Sequence, residues 1–239
     1  MSEPKIGRLL VASLHQAIAE LLPLKLEFYE NWLKPLGLLK EGRVIGVASF
    51  SAALSFLRRE EPPDTYHAVT RRAGELAAVW TYDAQSWSRR RWLGLLPTRM
   101  RLRGGLRLAR DITHSAYPGS KSVIRLHRNG GHVEVRGSIF CQVREQVDRP
   151  LCGFYEGVIV QLMERLAING RARLSGCRAA GASACQIQVT WRKGPPTAGV
   201  PEDKHEEKHE EPYASAAEAE AHGEAETPAA RPRRGVLTE

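Results

Sequence analysis

Four cysteines are the residues of this 239-residue chain best suited to chemistry: Cys141, Cys152, Cys177 and Cys185, spaced C-x10-C-x24-C-x7-C. Thiolates are soft or borderline ligands, and four of them in a tetrahedron hold zinc. Such a set keeps no position open for water, so the site it forms is structural and not catalytic. The spacing contains no C-x2-C knuckle. It therefore also admits a second reading, four small buried apolar side chains, which free cysteines often are. Four cysteines in a chain of this length do not make a disulfide scaffold, and reduced thiols in a cytoplasmic protein are expected.

Other catalytic signals are thin. His205-Glu206-Glu207-Lys208-His209 matches the H-E-x-x-H pattern of zinc proteases. Its flanks are all charged, and the chemistry needs a packed helix, a third ligand and a dry cleft, so the match reads as chance in an acidic run. No Gly-rich dinucleotide loop follows a strand, and there is no nucleophile elbow. His67, His114, His127 and His132 read as hairpin, helix-surface or satisfied core histidines. No catalytic residue is assigned.

Aromatic residues suggest binding. A cleft between a helical half and a sheet, lined by Trp80, Trp87, Trp92, Phe140, Phe154 and Tyr155 with Tyr82 beside them, suits a flat hydrophobic small molecule such as a phenol, a lipid or a tetrapyrrole. Ordinary core packing is the competing account of each ring. Arg89, Arg90, Arg91, Arg99, Arg101, Arg103, Arg107 and Arg110 interleave with Trp and Leu. They read as a solvated helix face, as a surface for an acidic partner, membrane or RNA, or as a seat for an anionic ligand or the chain's own acidic tail. No helix-turn-helix, zinc-finger or single-strand-binding signature accompanies them, which disfavours nucleic acid.

The elements that must position these residues follow from periodicity. Leu10, Leu14, Ala17, Ile18 and Leu21 recur at helical spacing; Pro23 interrupts, Leu26, Tyr29 and Leu33 resume, and Pro35 and Gly37 end the run. Ser49 or Ser51 is expected to cap a helix that stops before Pro62-Pro63, and Asp64 to cap the next, with Val69, Ala73, Leu76, Ala77 and Trp80 on its face. Pro97 and Gly104-Gly105 are expected to divide 85–110 into short pieces. Residues 122–128 and 132–140 read as strands about an Asn129-Gly130-Gly131 turn, Cys152–Ala167 as a helix, and 172–177 and 185–191 as a second strand pair. The expected class is α+β, a helical N-terminal half packed on an antiparallel four-stranded sheet. Expected boundaries are 1–64 for the helical segment, 65–193 for the domain and 194–239 for a tail.

The net charge of +8 averages two unlike pieces. Residues 194–239 hold five basic and eleven acidic side chains, a balance of −6, which leaves +14 for the rest. The tail, rich in Pro, Ala, Glu and Gly, cannot bury enough apolar surface to offset its ordering entropy, so it is expected to be disordered. No stretch approaches about 18 uncharged apolar residues, the length of a membrane span.

Cys152-Gly153-Phe154-Tyr155-Glu156-Gly157, with the helix it opens, and the segment from Cys177 through Gly181 to Cys185-Gln186-Ile187 resemble the 4-vinyl reductase domain. Leu96-Pro97, the Arg-rich helix and the hairpin resemble its bacterial bacteriochlorophyll-biosynthesis branch. The resemblance covers roughly residues 65–191. It implies a fold related to TRAPP-type trafficking subunits and a small-molecule-binding or sensing role. In relatives that sense aromatic compounds, three Cys and a Glu hold a zinc. Cys152, Cys177 and Cys185 match those Cys, but the Glu position is Leu174, which cannot ligate, so Cys141 is expected to complete a closed zinc site. Three function classes follow: a ligand-binding or sensory module, an enzyme or accessory factor acting on a vinyl tetrapyrrole, and a homodimeric or otherwise partnered interaction scaffold.

Overall fold

The apolar stripe of the N-terminal segment becomes α1 (Arg8–Leu21), which buries Leu10, Leu14, Ala17 and Ile18, while Leu21 at its end is exposed. Pro23 opens a single 3-10 turn (Pro23–Lys25), and α2 (Leu26–Leu33) resumes with Tyr29 and Leu33 buried. The structure is a computed structural model that describes residues 5–33, 45–127, 130–143 and 147–191. Pro35, Gly37, Asn129, the expected disordered tail and its His205–His209 match lie outside the described residues. Two short strands, β1 (Lys5–Ile6) and β2 (Ile45–Gly46), pair antiparallel.

Two long helices begin earlier than their expected caps. Gly46 precedes α3 (Val47–Glu60), so Ser49 and Ser51 lie inside the helix. Pro62 precedes α4 (Pro63–Asp83); proline fits the first helical position, where an N–H would lack a partner in any case. Asp64 sits in the first turn, where a carboxylate meets the positive end of the helix, and accepts a hydrogen bond of 2.7 Å from Arg149. Val69, Ala73, Leu76 and Ala77 are buried and Trp80 half-buried.

The Arg-rich segment forms α5 (Trp87–Leu95) and α6 (Thr98–Ala116), separated at Pro97. Gly104-Gly105 does not break α6. A Cβ on Gly105 would lie 2.7 Å from Leu166 Cδ1, and one on Gly104 2.8 Å from Leu93 Cδ2. The pair admits close neighbours, which offsets the roughly 1 kcal/mol each glycine costs in a helix interior.

The sheet contains β3 (Lys121–Leu126), β4 (Gly130–Arg136), β5 (Gly170–Gly176) and β6 (Cys185–Trp191), all antiparallel in the order β3-β4-β6-β5. Among the described residues the next helix, α7 (Gly153–Arg165), connects β4 to β5. Val133 and Val135 face Ile187 and Cys185 in register, and all four are buried, while Glu134, Gln186 and Gln188 alternate onto the other face. Phe140, expected in the strand, lies in a 3-10 turn (Ile139–Cys141) instead. The strand ends at Gly137, whose φ of +68° turns the backbone where only a glycine is unstrained.

Helix α7 packs against α4 at very close range. A Cβ on Gly74 would fall 2.0 Å from the Phe154 carbonyl oxygen, and one on Gly157 2.1 Å from that of Arg71. The described chain is thus α+β, with a helical N-terminal half and a four-stranded antiparallel sheet. Among the described residues no single helix is long and apolar enough to cross a membrane.

Candidate functional site

Four elements bring the cysteines to one end of the sheet. Cys141 closes the 3-10 turn after β4, Cys152 is the residue before α7, Cys177 follows β5, and Cys185 opens β6 opposite Val135. The β5–β6 connection folds back through Gly181, whose φ is +91°, and the N–H of Ala182 donates to the Cys177 carbonyl at 3.0 Å. Neighbouring strands β4, β6 and β5 therefore deliver three thiols at adjacent strand ends, and the start of α7 delivers the fourth.

The sulfurs converge. Sγ separations are 2.8 Å for Cys152–Cys185, 2.9 Å for Cys141–Cys152, 3.4 Å from Cys141 to each of Cys177 and Cys185, and 3.6 Å for Cys152–Cys177. All four thiols are buried and free, and their Sγ atoms lie within 4.8 Å of one another. Bonds of about 2.3 Å to a tetrahedral zinc place sulfurs about 3.8 Å apart. The separations of 3.4 and 3.6 Å are near that, while those of Cys152 to Cys141 and Cys185 are shorter, so the thiols would have to spread to take the ion. The cluster can hold a metal ion. Leu174 offers no ligand atom; its backbone N–H donates to Glu156 at 3.3 Å. Cys141 is the fourth thiol of the cluster.

Thiols this close cannot ionise independently. Cys177 is held far below the ordinary thiol range by its contacts with Cys141, Cys152 and Cys185, helped by the Leu151 N–H at 3.3 Å. Cys152 is pushed up by the same three neighbours and by burial, and Cys185 is pushed up chiefly by Cys141. Cys141, like Cys177, is lowered, chiefly by Cys152, so two of the four thiols are drawn towards the thiolate and two towards the thiol. A coordinated cation deprotonates thiols outright.

The aromatic residues divide into two groups. Phe140 stacks on Phe154 with centroids 5.2 Å apart, and Tyr155 meets both rings edge-on. These three are buried in the core beside Cys141 and Cys152. Trp87 and Trp92 are 67% and 60% exposed on α5. Trp80 packs half-buried against the core, apart from both sets.

Two cavities adjoin α6. One, of about 400 Å³, lies between the end of α4, α5 and α6, with Tyr82, Trp92, Leu93, Leu96, Leu108 and Leu166 among its walls. The other, of about 790 Å³, runs between α6 and β3, with Arg99, Arg103, Arg107 and Arg110 along one side and Ser122, Ile124 and Leu126 on the other. The role of the edge strand β3 as a lining element is not legible in its sequence. The 4-4-3 spacing of those arginines is the available signal, since it puts them on one helix face.

No protein-family model matches the chain, and no curated protein matches it. Among solved structures it is similar to the phenol-responsive sensory domain of the transcription activator PoxR with phenol (13% identity over 62% of this chain and 75% of that chain, TM-score 0.47). It is also similar to an H-NOX protein from S. oneidensis in the Fe(II)NO ligation state (12% identity, 78% and 99% coverage, TM-score 0.48). A third is the SO2144 H-NOX domain from Shewanella oneidensis in the Fe(II)CO ligation state (14% identity, 79% and 99% coverage, TM-score 0.49). The expected membership in the 4-vinyl reductase family is overturned by these findings: no family model supports it, and the structural neighbours carry other names. The residues behind the resemblance are cysteines and glycines at turns and helix contacts, a pattern that tight packing demands of unrelated chains as well. At this level of likeness function must be argued from the chain's own site.

Proposed function

We propose that this chain is a small-molecule-binding sensory domain whose sheet and last helix are tied together by a structural zinc on Cys141, Cys152, Cys177 and Cys185. The observation that carries the ligand-binding reading is the state of α5. None of its nine residues is buried, yet Trp92 and Leu93 turn towards a cavity of about 400 Å³. That volume falls in the range of small-molecule sites, and its walls are mostly apolar. Of its side chains only Leu93 packs, half-buried, against the core, so a hydrophobic guest there supplies the cover that the rest of the apolar face lacks.

The buried thiol cluster supports the zinc. It contributes folding energy at the end of the sheet and leaves no coordination position for substrate, so its role is structural. The PoxR domain named above is itself phenol-responsive and sensory.

Native mass spectrometry of the purified protein, with metal analysis, tests both parts. One zinc per chain and a co-purifying apolar ligand, or a thermal shift with an added one, are expected. Less than about half an equivalent of zinc defeats the metal assignment. Apo protein with no thermal shift across phenols, porphyrins and fatty acids defeats the ligand reading.

A further inference from the structure

The two cavities beside α6 meet: Met100, Arg103 and Arg107 line both. The smaller joins apolar walls (Trp92, Leu93, Leu96, Leu108 and Leu166) to Arg89, Arg103 and Arg107, and the larger has four guanidinium groups along α6. Among the described residues, no Asp or Glu lines either one. Among the same residues, Arg99, Arg103 and Arg107 have no carboxylate partner, and Arg110 has only its neighbour Asp111 at 3.8 Å. Like charges three or four residues apart on a helix destabilise it by about 0.2–0.5 kcal/mol per pair. Three such steps in succession therefore ask for a counter-charge.

The opposite wall sharpens the requirement. Ser122, Ile124 and Leu126 stand on the same face of the sheet as Val135, Val133 and Gly131, the face that elsewhere is covered by helices. At β3 that cover is looser: α6 faces the strand across the larger cavity, and the three side chains are only half-buried. The Ser122 hydroxyl is shielded from solvent and has no hydrogen-bond partner among the described residues. A buried hydroxyl without a partner costs about 1–3 kcal/mol, which a ligand oxygen would recover.

We propose that the ligand is an amphipathic anion: an apolar chain or ring seated under Trp92 and Leu93, and a carboxylate or phosphate held by Arg103 and Arg107, with Ser122 on the far side of the groove. This rests on the ligand-binding reading above and names the class of ligand it requires. Guanidinium forks match the planar oxygens of either head group, and the low dielectric of a half-enclosed groove strengthens the pairing.

Calorimetric titration of the full chain with dodecanoate and dodecyl phosphate, each below its micelle concentration, and with dodecanol below its solubility limit, tests this. Both anions should bind at least about tenfold more tightly than the alcohol, and the tighter anion identifies the head group. Arg103→Gln and Arg107→Gln should each weaken the anions about tenfold and leave dodecanol unchanged. Dodecanol binding as tightly as the anions, indifferent to both substitutions, overturns the anionic class while the hydrophobic site stands. Binding only to vesicles rich in phosphatidylglycerol, and not to monomeric amphiphiles, overturns the pocket in favour of a surface. Silence from all three ligands and from vesicles sinks this inference together with the reading it rests on.

Discussion

The Sγ atoms of Cys152 and Cys185 lie 2.8 Å apart although 33 residues separate them in the chain. One residue introduces α7 and the other opens β6, so the pair joins the last helix to the centre of the sheet. With zinc on the four thiols as proposed, replacing Cys141 or Cys152 by Ser should at least halve the zinc content and lower the melting temperature by about 10 °C, the scale of a few kcal/mol in a domain of this size. A strong chelator should reproduce that drop in the parent protein and add nothing further to the variants. Emission spectrometry with scanning calorimetry reads both.

The α4–α7 contact makes Gly157 intolerant of any side chain. Its Cβ would meet the Arg71 carbonyl oxygen at 2.1 Å, and backbone cannot swing aside as a side chain can. Gly157→Ala should destabilise by about 3 kcal/mol or more. Gly94, inside α5 with nothing within 4 Å of such a Cβ, provides the contrast. Gly94→Ala should stabilise by up to about 1 kcal/mol. Urea denaturation of the two variants should give opposite signs.

Tyr29 predicts an alkaline limit to stability. Burial, and then the charge of Glu61, whose carboxylate lies 3.5 Å from the phenol, push its pKa from 10.0 to about 12. The folded state thus holds the proton more tightly than the unfolded chain. Its contribution is complete below about pH 10 and is lost as the pH rises towards 12, amounting to at most about 2 kcal/mol. Tyr29→Phe should reduce the fall in stability across that window relative to the parent, with Tyr66 and Tyr155 contributing to what remains.

The exposed side chains of α5 should separate stability from binding. Trp87 and Leu95 are 67% and 78% exposed and line neither cavity, so Trp87→Ser and Leu95→Ser should each change stability by less than about 0.5 kcal/mol. Trp92 is almost as exposed but does line the smaller cavity. Trp92→Ser should likewise leave the melting temperature nearly unchanged while weakening binding of a hydrophobic ligand about tenfold. A thermal melt beside a ligand titration distinguishes the two.

Local periodicity made the N-terminal helices, the long α4 and the strand pairs legible, because each buries a stripe or an alternating face that the order of residues already displays. It misplaced the starts of α3 and α4, where Val47 and Pro63 accept helical geometry before the expected Ser and Asp. It also broke α6 at Gly104-Gly105, which the helix passes through because those glycines admit Leu93 and Leu166. The six aromatic residues were legible as a set but not as a buried trio, an exposed pair and a half-buried Trp80. Whether Phe154 faces a core or a cleft depends on Phe140, which the 3-10 turn after β4 stacks on it.

By itself the amino-acid order determined the α+β class, the four thiols as the chain's soft ligands and the concentration of arginine between residues 89 and 110. Only the tertiary structure decided that the four sulfurs share one buried point and that Arg103 and Arg107 border an apolar chamber on one side and the edge strand on the other. The physical reason is the same in both cases. Residue type and helical phase are local quantities, whereas a ligand shell or a cavity wall forms from strand ends and helix faces that meet only when the sheet pairs and the helices pack against it.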